Sequence, residues 1–275
     1  MGGNILKKQT QKLTVLVTVC ILGVVLQACQ TSHSGSISQK DPEKSVKVRT
    51  QLAAEYIRSG DFDAAKRALD QALEVDSRDT TANMLMGVLL QHEGSQLNLE
   101  KAETYFKRAI AVDSKNAQAR NNYGTYLYEL KRYNEAINQF NIAGATLGYD
   151  QRYKAYENMG RVYLKLFDIA NAEKSFKQAL QVNRDSIVSM LELSDIFYLQ
   201  KKTSASTQLY EQYVRAVGQN NQSARALWLG MRLARANGDQ MGMQVLANQL
   251  KALYPDSQEY QRYMKLQYTT EAVWK

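Results

Sequence analysis

The stretch Tyr123-Gly124-Thr125-Tyr126-Leu127, followed by Ala136-Ile137-Asn138-Gln139-Phe140-Asn141-Ile142-Ala143, decides the fold. In its first part a large residue, a small one and a second large one three positions on share a helical face. In its second part small, large and small residues fall at steps of four and three, again on one face. Helices marked this way pack closely, because the small residue of one admits the bulky residue of the other without separating the axes.

Both patterns return in either direction with a period near 34 residues. The first-helix pattern recurs as Leu52-Ala53 with Tyr56, Met86-Gly87 with Leu90, Met159-Gly160 with Tyr163, Leu193-Ser194 with Phe197, and Leu229-Gly230 with Leu233. The second-helix pattern recurs as Ala65, Leu69, Ala72; as Ala102, Phe106, Ala109; and as Ala172, Phe176, Ala179. Ser206, Tyr210 and Tyr213 take these places in a fifth unit, and Gly242, Leu246 and Gln249 in a sixth. Each large side chain contributes ~1.5–3 kcal/mol on burial, yet a lone helix pair cannot cover its outer face, so the units must stack.

This spacing resembles the tetratricopeptide repeat. The resemblance implies an all-α protein, a right-handed superhelix of about six repeats over residues 46–79, 80–116, 117–150, 153–186, 187–220 and 223–256, with a C-terminal capping helix in 257–275. Ser77, Ser114 and Arg184 stand where the family places a proline near a unit's end, so these turns depend on Asp, Ser and Asn chemistry. Extra residues around Ser95 to Leu97 are expected to lengthen the turn inside unit two, and Gln151 and Arg152 separate units three and four. Tyr254-Pro255-Asp256-Ser257 ends the sixth unit. A last helix, from about Ser257 to Val273, would offer Tyr260, Tyr263, Met264, Leu266 and Tyr268 as the covering face that a terminal unit needs.

The amino-terminal end carries a different message. Lys7, Lys8 and Lys12 precede an apolar run from Leu13 to Ala28, which at roughly 16 residues makes a helix of ~24 Å, too short to span a bilayer. Basic front, short apolar middle and Leu26-Gln27-Ala28-Cys29 look like a bacterial lipoprotein signal. Residues 1–28 would be removed and Cys29 would carry the lipid. The class's sorting rule, in which Asp after the cysteine favours the inner membrane, implies outer-membrane delivery for a chain with Gln30, on the periplasmic face of a Gram-negative cell. Residues 29–45, rich in Ser and poor in apolar side chains, read as a flexible tether.

Removing the leader takes the formal charge from +8 to +5, because all three leader charges are lysines. The remaining cations are interleaved with Glu and Asp and form no stripe, which argues against nucleic acid. Cys20 leaves with the leader and Cys29 is consumed by lipid, so no thiol remains for a disulfide, a metal or a nucleophile. Only His33 and His92 are present, and no phosphate-binding glycine loop or nucleophile elbow appears. The expectation is a protein that is not an enzyme, with no cofactor, no metal and no small-molecule substrate. Pairs such as Glu103 with Lys107 and Glu173 with Lys177 read as surface chemistry.

Recognition would then use the concave wall, formed in regular repeat geometry by positions two, five, nine and twelve of each first helix. In units one and two Ala54, Ile57, Met84 and Val88 form an apolar strip bordered by Lys47, Thr50, Thr81 and Gln91. In units three and four the lining is more polar and includes Asn121, Thr125, Tyr128, Lys154, Glu157 and Arg161. Thr50 and Ala54 stand where a carboxylate-clamp repeat would need Lys and Asn, which disfavours reading of a C-terminal carboxylate. The expected partner-binding groove is therefore Ala54, Ile57, Met84, Val88, Asn121 and Tyr128.

Several segments go beyond the generic repeat. Asn121-Asn122-Tyr123-Gly124, Tyr128-Glu129, Lys131-Arg132-Tyr133, Glu157-Asn158-Met159-Gly160, Gln181-Val182-Asn183-Arg184, Gly230-Met231-Arg232-Leu233-Ala234 and Leu250-Lys251-Ala252-Leu253-Tyr254-Pro255 resemble the PilF/PilW family of type IV pilus biogenesis lipoproteins. The resemblance implies a pilotin, an outer-membrane lipoprotein that binds secretin subunits and promotes their outer-membrane localisation and multimerisation. The alternative is a general outer-membrane scaffold that recruits envelope enzymes such as peptidoglycan hydrolases or proteases.

Overall fold

The computed structural model describes residues 41–270. The leader, Cys29 and most of the expected tether lie outside the described residues. The chain divides after Ser45, and the repeat body belongs to the unit Val46–Lys275.

Thirteen α-helices and no strand occur among the described residues, which is the all-α class read from the sequence. They form six hairpins: α1 (Pro42–Ser59) with α2 (Phe62–Val75), α3 (Thr80–Glu93) with α4 (Gln96–Val112), α5 (Ala117–Glu129) with α6 (Tyr133–Ala145), α7 (Arg152–Lys165) with α8 (Ile169–Val182), α9 (Ile187–Leu199) with α10 (Thr203–Val217), and α11 (Ala224–Ala236) with α12 (Gln240–Leu253). A short helix α13 (Gln258–Leu266) follows. None of these helices is long and apolar enough to cross a membrane.

Nine of the helices start where a short polar side chain accepts a free backbone donor of the first turn, while Arg132, Gln151 and Lys202 open their helices without such a bond. Asp61, Asp79, Ser95, Asn116, Asp168, Ser186, Ser223, Asp239 and Ser257 each accept from the amide three residues on. The turns that lack proline are closed by the same chemistry. Arg78 N donates to Asp76 Oδ1 at 2.9 Å, Lys115 N to Asp113 Oδ1 at 3.0 Å and Asp185 N to Asn183 Oδ1 at 3.1 Å.

Close approach of the paired helices needs glycine at the contact. A Cβ on Gly124 would lie 2.7 Å from the Phe140 ring, and one on Gly87 or Gly160 would meet Phe106 or Phe176 as closely. Unit five solves the same contact differently. Ser194 Oγ donates to Ser206 O at 2.8 Å and Ser206 Oγ returns a bond to Ser194 O at 2.6 Å, with both residues buried.

Four expectations are corrected. Helix α1 begins at Pro42, so helix takes the last residues assigned to the tether: Asp41 Oδ1 accepts from Glu43 N and Lys44 N, and proline suits the first helical position. The extra residues of unit two leave its turn short and lengthen α4 to 17 residues, because Ser95 caps the helix immediately after Gly94. The buried stripe of α12 is Ala247 and Leu250, with Met243 and Leu246 beside them, one residue out of step with Gly242, Leu246 and Gln249. Gly242 instead donates its amide to the cap Asp239 at 2.8 Å. Finally, α13 stops at Leu266 instead of reaching Val273. Tyr263, Tyr260 and Leu266 do cover the end of the body against Leu227, Trp228, Met231, Ala247 and Leu250, whereas Met264 and Tyr268 remain exposed.

Candidate functional site

The first helices of successive units touch one another, α3 with α5, α5 with α7 and α9 with α11. Their shared face changes character along the stack. In units one and two, Ala54, Ile57 and Val88 are half-buried and rest on the main apolar cluster. Met84 is different. It is 3 % exposed and belongs to that cluster, so it is part of the core and cannot serve as an open groove contact. The reason is that α3 is enclosed on nearly every side, with Ala82, Asn83, Leu85, Met86, Leu89 and Leu90 buried as well. Thr50, expected at the polar border, is also buried and donates to Lys47 O at 2.9 Å.

In units three and four the face becomes a series of amides. Asn158 Nδ2 donates to Asn121 Oδ1 at 3.2 Å across the α5–α7 contact, and Arg161 Nη1 approaches Asn158 Oδ1 at 3.4 Å. Gln91 Nε2 donates to Glu129 Oε2 at 2.6 Å across the α3–α5 contact. Tyr128 is half-buried and tilts against the Tyr133 ring at 5.8 Å. Half-buried amides held at such spacing can exchange partners with the backbone of an extended segment; the expected residues Asn121 and Tyr128 are both half-buried on this face.

Glu157, read as part of the polar lining, is buried and accepts a short hydrogen bond from Ser186 Oγ, the side chain that caps α9. Burial pushes its carboxyl above the usual range, while the Ser186 bond opposes the shift. Glu157 therefore joins two units and is withdrawn from the surface.

Units five and six carry charge. Arg225 grips Glu192 with both Nη atoms at 2.6 and 2.7 Å and reaches Asp195 at 3.0 Å. Arg232, buried, pairs with the other Asp195 oxygen at 2.5 Å and lies over the Tyr198 ring at 4.6 Å and the Trp228 ring at 5.9 Å. Planar guanidinium between aromatic faces is favourable stacking. Among the described residues no group of three or more His, Cys, Asp or Glu is placed to hold a metal.

Sequence reasoning missed two sets of residues. Asn83 Nδ2 donates to Ser77 O and Asp79 O at 3.0 and 2.8 Å, and Arg120 Nε donates to Ser114 O at 3.0 Å, so each ties a first helix to the preceding proline-free turn. The second set surrounds Glu103, whose side chain is 19 % exposed. It binds Lys107 and Arg132, both at 2.8 Å, and Tyr123 Oη at 2.9 Å. Its pairing with Lys107 at a spacing of four was legible, but its role as a half-buried node was not. His92, single on its helix, stacks on Phe62 at 5.5 Å as a packing residue.

Tetratricopeptide-repeat models match residues 50–96, 91–145 and 153–186. The chain is 34 % identical over 247 residues to the type IV pilus assembly protein PilF of Pseudomonas aeruginosa, an alignment that covers 89 % of this chain and 96 % of that protein. The solved structure of Pseudomonas aeruginosa PilF superposes with a TM-score of 0.76 at 34 % identity, over 82 % of this chain and 99 % of the other. PilW, described as a widely conserved type IV pilus biogenesis factor, superposes with a TM-score of 0.68 at 27 % identity, over 80 % of this chain and 98 % of the other.

Proposed function

Since the chain belongs to the PilF/PilW family of tetratricopeptide-repeat proteins of type IV pilus biogenesis, we propose that it is the pilotin of its pilus system. In this reading it is an outer-membrane lipoprotein, acylated at Cys29, that binds secretin subunits and promotes their localisation and multimerisation in the outer membrane. It performs no chemistry of its own.

The observation that carries the reading is the 34 % identity to PilF over 89 % of the chain, which exceeds what the repeat spacing alone would give. The residues divide the labour. Ala54, Ile57 and Val88 offer apolar contact, and the Asn121–Asn158 pair beside Tyr128 offers hydrogen bonds to a peptide backbone. A lipid at Cys29 would hold the bound subunit at the membrane and raise its local concentration there.

The test is a null strain complemented with either the intact chain or Cys29→Ala. Under the pilotin reading the null loses secretin multimers and twitching. The Cys29→Ala protein folds but leaves the outer-membrane fraction, and the multimers fall or appear in the wrong membrane. A null with normal multimers and a disturbed envelope would instead favour the scaffold that recruits envelope enzymes.

A further inference from the structure

The turn between the two helices of each unit passes through one residue with positive φ. In units one, two and six it is Gly60, Gly94 or Gly238, at 81, 70 and 75°, where glycine adopts the left-handed region freely. In the three consecutive middle units it is Lys131, Phe167 and Lys201, at 59, 59 and 62°. A bulky aromatic residue there is an outlier. Strain of this kind is retained where the side chain it presents is used.

Side-chain bonds tie neighbouring turns together, units two with three and units four with five. Gln91, at the end of α3, bonds Glu129 at the end of α5. Arg132, at the start of α6, bonds Glu103 on α4. Gln200, beside Lys201, donates to Glu173 near the start of α8 at 2.8 Å. Turns tied in this way sit about 10 Å apart, the spacing of packed helices.

What these turns display is consistent from unit to unit. Phe167 is 88 % exposed, and Leu130, Leu166 and Leu199 are exposed beside the positive-φ residues. Lys131, Lys165 and Lys201 have no ion-pair partner among the described residues. Of the acids nearby, Glu103 and Glu135 are paired with Arg132 and Glu173 with Lys177, while Glu129 and Asp168 accept from the neutral amides of Gln91 and Asn171 and keep their charge. At the opposite edge, where one unit passes to the next, the turns carry one acid for each cation, Asp76 with Arg78, Asp113 with Lys115 and Asp185 with Arg184.

We propose that the turn edge of units three to five is a membrane-contact surface for anionic lipid. Phe167 and Leu166 enter the interfacial region, and Lys131, Lys165 and Lys201 pair with headgroup phosphates. Charge complementarity chooses the occupant: apolar tips separated by long, free cations match a sheet of phosphates. This goes beyond the pilotin reading and does not depend on an acyl chain at Cys29. Its effect would be to fix the orientation of a body that an acyl chain alone leaves free to swivel.

The test uses the mature chain, residues 29–275, with Cys29 replaced by serine and Phe167→Cys carrying an environment-sensitive NBD label. Vesicles of phosphatidylglycerol mixed with phosphatidylcholine should shift the emission to the blue and raise it at least about twofold, and high salt should reverse this. Lys131→Glu with Lys165→Glu and Lys201→Glu should abolish the response while circular dichroism stays native. A label at Ser114→Cys, on the opposite edge, should stay water-like. Four results would each overturn the proposal: water-like emission at position 167 on the anionic vesicles; an equal response at position 114; a response on pure phosphatidylcholine that ignores salt and charge reversal; or a response that appears only when envelope protein is added.

Discussion

The Tyr123 hydroxyl on α5 donates to the Glu103 carboxylate on α4 at 2.9 Å, and the same carboxylate holds Arg132 at the start of α6. One side chain thus joins units two and three through three helices. Burial alone would raise the Glu103 carboxyl, but bonds from Arg132, Lys107 and Tyr123 outweigh it and bring it down to about 2 from 4.5. Burial and the facing carboxylate push the Tyr123 hydroxyl up.

Because the folded carboxyl titrates below its unfolded value, its stabilisation is complete above pH about 4.5 and is lost as the pH falls toward about 2. Allowing for solvent screening, it is worth about 1–2 kcal/mol. Glu103→Gln should lower the urea midpoint at pH 7 and flatten the loss of stability across that window. A parallel curve for variant and parent between pH 5 and 3 would contradict the assignment.

The glycine contacts leave no room for a methyl group. Gly124→Ala should cost about 1–3 kcal/mol by overpacking against Phe140, read as a fall in thermal midpoint. Combining it with Phe140→Leu should recover part of the loss, and simple additivity of the two variants would argue against direct contact.

Met84 and Ile57 should behave differently although regular repeat geometry places both on one wall. Met84→Glu puts a carboxylate into a sealed core and should unfold the chain or destabilise it by several kcal/mol, of order 3 or more. Ile57→Glu, at a half-buried position, should leave circular dichroism native and, on the pilotin proposal, weaken capture of secretin subunits in a pull-down. Unchanged capture by a folded Ile57→Glu would move the grip elsewhere.

The Arg232–Asp195 pair predicts an asymmetry. Asp195→Ala strands a buried guanidinium and should cost about 3 kcal/mol. Arg232→Met keeps apolar contact with Tyr198 and Trp228, and Asp195 retains Arg225. Its cost should be near 1 kcal/mol, consistent with the smaller penalty for replacing a buried ion by an apolar isostere. Thermal melts of the two variants side by side decide this.

How legible each feature is in the sequence follows from how local its cause is. The Gly–Phe contacts could be read because close packing leaves a fixed small-large spacing in the chain, and the caps because they act over three residues. Asn83 and Arg120 could not, since each bonds a carbonyl six residues back only once the turn has formed. Gly242 misled because a small residue near a helix start serves capping as readily as packing. Met84 misled because the open wall assumed at its position is closed by neighbouring helices. The identity segments around Asn121 and Tyr254 spoke of family, while the exposure of each groove residue needed the folded chain.

The turns closed by Asp76, Asp113 and Asn183 have a kinetic consequence. The chain has two prolines, Pro42 and Pro255, one at each outer end of the repeat array. Every junction between them can form without waiting tens of seconds for a peptide bond to isomerise. Newly made polypeptide can therefore zip from one hairpin to the next in any order, unaided by a rotamase, and regain its shape promptly whenever a unit is pulled open.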